Sequence, residues 1–160
     1  MNIIVVLDNT VLTNFSLVNR ADLIYLLWPG IVCTTFAVQH EYKSAVEHGL
    51  LPENCWIDLP VVELTQAESQ LANNLPGKID LGERTCLALA ITRQGLLASD
   101  DLKARQIAVS FNVPITGTIG ILAACVKLGL ITSDMGNDLL RHMIAAGYHS
   151  PFDNLDALLS

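Results

Sequence analysis

The stretch Ile3-Ile4-Val5-Val6-Leu7-Asp8 places five apolar residues directly before a carboxylate. Such a run is too short for a helix, and its β-branched residues favour a buried parallel strand. A second run, Gly95-Leu96-Leu97-Ala98-Ser99, is followed by Asp100 and Asp101. Parallel strands of this kind end at one edge of an α/β sheet, where such folds place their ligands. The sequence therefore predicts acidic side chains gathered at that edge.

The rest of the chain alternates between extended and helical segments. Apolar spacing and glycine or proline stops delimit them. Further strands are predicted at 31–34 and 113–116, the latter at the sheet edge because of its proline, and a short extended segment at 56–62. Helices are predicted around 17–27, 36–48, 64–74, 80–91, 104–111, 118–127 and 133–147, with Thr118 and Ser133 as candidate caps of the last two. This alternation predicts a mostly parallel sheet covered by helices on both faces.

The composition sets limits on size, compartment and partners. At 160 residues, 51% of them hydrophobic, the chain fits one domain over residues 1–160 with a large core. No apolar stretch reaches the length of a membrane span, and neither a secretory leader nor a pair of closely spaced cysteines is present, which predicts a cytoplasmic protein. The net charge of −7 argues against binding nucleic acid by simple electrostatic attraction. Bound cations would reverse the sign locally.

Asp8 and Glu41 each have a structural and a functional interpretation. Asp8 can form a local turn with the backbone amides that follow it. It can also bind a metal ion at the end of a strand, and we favour this because a carboxylate ending a buried strand is costly without compensation. Glu41 falls inside a predicted helix, where glutamate is usually only solvated.

The acids of the second half of the chain also have structural explanations. Asp80 and Glu83 form an Asp-x-x-Glu pattern, which is typical of a capping box at a helix start. Asp100 or Asp101 can cap the helix that follows, but two consecutive aspartates exceed what one cap needs. Each signal is weak alone, and the joint placement of the acids is what favours a site.

Four segments of the chain resemble those that carry the acids of PIN domains, in the same order. They are Leu7-Asp8-Asn9-Thr10-Val11-Leu12, Phe36-Ala37-Val38-Gln39-His40-Glu41, Asp80-Leu81-Gly82-Glu83, and Leu97-Ala98-Ser99-Asp100-Asp101 with Lys103-Ala104-Arg105. Pro114-Ile115-Thr116-Gly117-Thr118-Ile119-Gly120 and the closing Ala146-Gly147-Tyr148 are similar to a bacterial and archaeal branch of that family. The resemblance covers nearly the whole chain and implies a three-layer α/β/α sandwich.

The resemblance implies a Mg²⁺- or Mn²⁺-dependent ribonuclease similar to VapC-type toxins, which are commonly homodimers silenced by a small antitoxin protein. The implied catalytic residues are Asp8, Glu41, Glu83 and Asp101, which also bind the metal, with Asp100 as a further ligand or cap. The implied RNA contacts are Thr10, Arg84, Lys103 and Arg105. One departure is Glu83, where many relatives carry aspartate, so that the longer side chain can shift a metal ion.

Three alternatives remain open from the residues. Asp8 and the Asp100-Asp101 pair match a haloacid-dehalogenase-type phosphohydrolase, but that class normally has an aspartate at the position of Thr10. A receiver domain needs an aspartate on a middle strand, and none suits that role. A degenerate PIN domain that serves as an interaction module with nucleic acid or protein is compatible with the whole chain.

Overall fold

The sheet has five parallel strands, and the strand that opens the chain lies at its centre. The computed structural model describes residues 3–160, so the first two residues of the predicted domain range lie outside it. The strands are β1 (Val5–Leu7), β2 (Val32–Thr35), β3 (Val61–Val62), β4 (Leu96–Ala98) and β5 (Ile115–Thr116). Their order is β3-β2-β1-β4-β5, and every neighbouring pair is parallel. The strand predicted at 113–116 is shorter, since β5 begins after Pro114, and its predicted edge position is confirmed.

Helices cover both faces of the sheet and complete the predicted α/β/α sandwich. They are α1 (Asn9–Leu17), α2 (Asp22–Leu27), α3 (Phe36–Glu47), α4 (Gln66–Asn74), α5 (Leu81–Thr92), α6 (Leu102–Ser110), α7 (Thr118–Lys127), α8 (Ser133–Ala145) and α9 (Asp156–Leu159). α5 packs across β1, β2 and β4, with α3, α4 and α6 beside it. A second group is built around α7, which contacts α1, α2, α8 and α9. Within residues 3–160, none of these helices is long and apolar enough to span a bilayer.

Three helix starts differ from the sequence prediction. The helix predicted around 17–27 is shorter and begins at Asp22 as α2, because Asn19 adopts a left-handed conformation (φ 53°) after α1. The helix α1 itself is not predicted from the sequence. Thr132, and not Ser133, caps α8 through a bond from the Met135 N–H. Gly117 precedes α7 without a side-chain cap, and the Thr118 side chain bonds elsewhere.

The central strands and α5 form the core that fixes the sheet edge. Val6, Leu7 and Leu87 are completely buried, so their burial strongly favours one register. The register pairs Leu7 with Ala98 on the neighbouring strand. The residues that follow these two strand ends therefore lie side by side.

Candidate active site

Asp8 occupies the end of the central strand and caps α1. Its side chain is buried, with 2% of its surface exposed. One carboxylate oxygen accepts a bond from the Asn9 N–H (2.7 Å), and the other accepts a bond from Ser99 Oγ (2.7 Å). Burial raises the pKa of Asp8 to about 6, and the nearby charges of Asp80 and Glu41 add to the rise, whereas the two hydrogen bonds oppose it. The sequence analysis does not predict a helix directly after β1, and Asp8 is the residue that caps it.

Ser99 links Asp8 to the acid at the end of β4. Its Oγ accepts a bond from the Asp101 N–H (3.1 Å) while it donates to Asp8. Asp101 in turn caps α6, since its Oδ2 accepts a bond from the Ala104 N–H (2.8 Å). Two acids from neighbouring strands are therefore held together by one buried hydroxyl.

The capping box predicted at the start of α5 is present. Asp80 Oδ1 accepts a bond from the Glu83 N–H (2.8 Å), and Glu83 Oε2 accepts one from the Asp80 N–H (2.9 Å). Burial raises the pKa of Glu83 to about 7, with further contributions from the charges of Asp80, Asp101 and Asp8. The box therefore places two carboxylates beside those at the ends of β1 and β4.

Glu41 completes the cluster from α3, across a glycine of α5. A Cβ at Gly82 would lie 3.0 Å from Glu41 Oε2 and 3.4 Å from Asp80 Oδ1. Burial raises the pKa of Glu41, and the charge of Asp80 raises it further. The missing side chain at Gly82 lets the two helices approach, so that carboxylates from both lie over the same point.

Asp80 is the member of this cluster that sequence reasoning did not place in the site. Its charge raises the pKa of Asp8, of Glu41 and of Glu83. The signal was present in the Asp-x-x-Glu pattern, but capping explains that pattern fully. The approach of α3 to α5 shows that Asp80, besides capping α5, lies close to Glu41 and belongs to the site.

Asp100 points away from these acids. Its Oδ1 accepts a bond from the Thr118 N–H (2.7 Å), and its Oδ2 accepts bonds from Thr118 Oγ1 (2.5 Å) and Asn14 Nδ2 (3.1 Å). These bonds join the end of β4 to α7 and α1. The Asp100 N–H donates to Thr10 Oγ1 (2.9 Å), which fixes Thr10 beside the same strand end.

The three basic residues predicted as RNA contacts have different surroundings. Arg84 donates to four backbone carbonyls at the end of α4 and in the following loop, those of Ala72, Leu75, Gly77 and Ile79, at 2.7–3.2 Å. Arg105 donates from Nη1 to the Ser99 carbonyl (3.0 Å). Lys103 is exposed on α6. Of the three, Lys103 is the one whose side chain is most open to a ligand.

The residues fit a hydrated divalent ion better than a directly caged one. Within residues 3–160, no three His, Cys, Asp or Glu side chains are arranged to hold a metal ion. The charge distribution nevertheless favours a cation, since several carboxyls have raised pKa values there. Asn9 Oδ1 is buried without a hydrogen-bond partner in the described part of the chain, and the Asn9 side chain lowers the pKa of Glu41 beside it. Mg²⁺ keeps several waters and binds through one or two carboxylates, which suits this arrangement.

Comparison with known proteins agrees with the fold. A family profile described as a PIN domain matches residues 4–160. No curated protein matches the chain, and no solved structure matches it. Because the profile covers almost the entire chain, the protein belongs to the PIN-domain family, whose members are generally nucleases.

Proposed function

We propose that the protein is an endoribonuclease that hydrolyses RNA phosphodiester bonds with Mg²⁺ or Mn²⁺. The observation that carries the proposal is the buried Asp8 carboxylate, bonded through Ser99 to the segment of Asp101. A buried carboxylate with like charges nearby is costly when ionised, and a divalent cation offsets that cost. Asp8, Glu41, Glu83 and Asp101 would hold the ion, in part through water, with Asp80 adding charge. Asp100, whose carboxylate accepts two bonds from Thr118, would not bind the ion but would hold the end of β4 in position.

The side chains of the site have separate tasks in this proposal. When bound, the ion lowers the pKa of a water molecule and shields the charge of the phosphate. Ser99 and the Asn9 N–H hold both oxygens of Asp8 in place. Thr10 Oγ1 accepts a bond from the Asp100 N–H, which leaves its own proton to donate to a phosphate oxygen. Lys103, and Arg105 through its remaining N–H groups, would contact the RNA backbone.

The proposal extends to regulation by resemblance to VapC-type toxins. It includes a cytoplasmic homodimer and a small antitoxin protein that blocks the acidic site. Exposed apolar side chains such as Leu50 (70%) and Ile57 (76%) leave surface for a partner. Light scattering of the purified chain, alone and with the product of a neighbouring small gene, tests both partners.

The decisive experiment compares RNA cleavage by the wild type and Asp8→Asn with Mn²⁺ and with EDTA. We expect cleavage only by the wild type and only with metal, because asparagine keeps the cap of α1 but removes the charge. Asp134→Asn, an exposed aspartate in the first turn of α8, is the matched control and should retain activity. Equal cleavage by the Asp8 variant would refute the assignment.

A second candidate is a catalytically degenerate PIN domain that serves as an interaction module. It is favoured by the net charge of −7 and by the lack, within residues 3–160, of three side chains placed to ligate a metal directly. Calorimetric titration with Mn²⁺ separates the two functions. A nuclease should bind the ion with a heat that Asp8→Asn removes, whereas an inert module should give none.

A further inference from the structure

A groove of about 620 Å³ opens directly beside the acidic cluster, between α3 and the start of α5. Glu41 and Asp80 line it and belong to both the groove and the candidate site. Its remaining lining is formed by Phe36, Ala37, His40 and Ser44 from α3, and by Leu81 and Gly82 from α5. A molecule bound at the acids would therefore extend into this groove.

Phe36 is the feature of the groove that needs an explanation. It is the first residue of α3, directly after the Thr35 cap at the end of β2, and 56% of its surface is exposed. Leu81, which also lines the groove, is 61% exposed. His40 and Ser44 follow Phe36 at helical spacing, so the three side chains lie on one face of α3. An exposed aromatic ring thus begins a stripe of residues that runs along α3 beside Glu41.

The charge of the groove decides what kind of group it takes. Its lining contains two carboxylates and neither lysine nor arginine, so a phosphate would be repelled. A nucleobase is flat and uncharged, and every base offers a face that stacks on an aromatic ring. His40 and Ser44 offer hydrogen-bonding groups to the edge of a base.

We propose that this groove binds an unpaired nucleobase of single-stranded RNA, stacked on Phe36 and adjacent to the phosphate that lies at the acidic cluster. The proposal rests on the proposed ribonuclease function and assigns Phe36 to the binding of a base beside the site. In an A-form duplex, the faces of the bases are stacked on one another and are not available to a side chain. The site therefore selects single strands, loops and unpaired ends.

The test measures RNA binding separately from cleavage. In the non-cleaving Asp8→Asn protein, fluorescence anisotropy gives the affinity for a short fluorescein-labelled single-stranded RNA and for a labelled duplex of the same sequence. Adding Phe36→Ala should weaken single-strand binding about tenfold or more, because one stacking contact is lost. Phe36→Trp should retain binding. Phe111→Ala, at the far end of α6 and outside the groove, is the matched control and should have no effect.

The outcomes separate this proposal from the proposed function. If Phe36→Ala binds single-stranded RNA as tightly as its parent, or weakens duplex binding equally, the base site is overturned even when the wild type cleaves RNA. If neither protein binds RNA, the base site is overturned as well. If single-strand binding falls with Phe36→Ala but the wild type does not cleave with Mn²⁺, the base site stands and the nuclease assignment fails. The single variant Phe36→Ala, which keeps Asp8, should bind Mn²⁺ in calorimetry as tightly as the wild type. A variant with a disrupted α3 would bind it less tightly, because α3 carries Glu41.

Discussion

Ser99 Oγ donates a 2.7 Å hydrogen bond to Asp8 Oδ2 and accepts one from the Asp101 N–H, so one buried hydroxyl connects the ends of two neighbouring strands. Replacement by alanine removes the donor that lowers the pKa of Asp8. We expect Ser99→Ala to shift the acid limb of the cleavage profile to higher pH, because Asp8 then holds its proton more tightly. Stability should fall by about 1–3 kcal/mol, since the Asp101 N–H loses its partner.

The control for this prediction is Ser16→Ala. Ser16 is equally buried, and its hydroxyl donates to the Thr13 carbonyl within α1. Its replacement should leave the pH dependence of cleavage unchanged. A profile of Ser99→Ala that superimposes on that of the wild type would show that the hydroxyl does not influence Asp8.

Asp8 should make the metal-free protein less stable at neutral pH than in weak acid. Its pKa is raised from 3.8 to about 6 on folding. Its contribution to stability is therefore fully present below the unfolded pKa and is lost as pH rises through the folded pKa. In EDTA we expect Asp8→Asn to be more stable than the wild type by roughly 2 kcal/mol near pH 7, with the difference shrinking towards pH 4.

Urea unfolding at the two pH values measures the effect of Asp8. Because Glu83 has a pKa raised to about 7, part of the pH dependence of the wild type should persist in the variant. Mn²⁺ should stabilise the wild type and not Asp8→Asn. A variant less stable than the wild type near pH 7 in EDTA would contradict the argument.

Asp80 both caps α5 and places a negative charge in the site, and replacement by asparagine removes only the charge. Asp80→Asn keeps an oxygen to accept from the Glu83 N–H, and asparagine caps helices as well as aspartate does. The charge that raises the pKa of three neighbouring carboxyls is lost. We expect Mn²⁺ affinity to fall about tenfold with little change in melting temperature. Calorimetry and thermal unfolding measure the two, with Asp134→Asn as the control, and an unchanged affinity would remove Asp80 from the site.

The sequence predicts the sheet, and the acids at the ends of its strands and at the start of α5, because these features depend on short-range signals. Buried strands ending in aspartate identify β1 and β4, and the Asp-x-x-Glu pattern identifies the start of α5. The sequence does not identify Asp8 as a helix cap, because Asn9 and Thr10 are ordinary turn residues too. The break between α1 and α2 depends on the left-handed Asn19, for which asparagine gives only a weak signal.

The division of labour between Asp100 and Asp101 is not accessible from the sequence. Both follow the same strand, and their opposite directions become visible only when Thr118 and Asn14 approach from distant segments. The same holds for Arg84, whose partners are backbone carbonyls and leave no mark in the sequence. Long-range contacts of this kind decide which charged residues are free for a ligand.

The contacts of Arg84 indicate a structural role, whereas its position in the sequence predicts an RNA contact. Its guanidinium satisfies four carbonyls at the end of α4 and the loop after it. We expect Arg84→Ala to cost about 2–3 kcal/mol, because carbonyls are left without partners. Arg84→Lys should restore little, since an ammonium cannot reproduce the planar fork of donors.

RNA affinity below the melting temperature is the second measurement on the Arg84 variants. It should match that of the wild type, whereas Lys103→Ala, which removes an exposed cation from α6, should weaken RNA binding. Lost RNA binding in Arg84→Ala at unchanged stability would instead support a direct contact with the phosphate backbone.

Glu68 should stabilise the fold at neutral pH but not at acidic pH. This buried carboxylate accepts bonds from Arg93 Nε (2.8 Å) and Nη2 (3.1 Å), from Thr92 Oγ1 (2.9 Å) and from the Thr65 N–H (2.8 Å). The bonds from Arg93 are the largest cause that lowers its pKa from 4.5 to about 2. The stabilisation is therefore present above the unfolded pKa and is lost as pH falls through the folded pKa.

Glu68→Gln tests this contribution, because glutamine keeps one acceptor but not the charge that pairs with Arg93. We expect a loss of about 1–3 kcal/mol near pH 7 and a much smaller difference near pH 2. Urea unfolding at both pH values measures it, and Glu63→Gln, an exposed glutamate, should show no difference. Since Glu68 docks α4 on α5, the helix that carries Glu83, the variant should also bind Mn²⁺ less tightly near its melting temperature than well below it. An equal loss of stability at both pH values would mean that packing of the side chain, and not its charge, holds the two helices together.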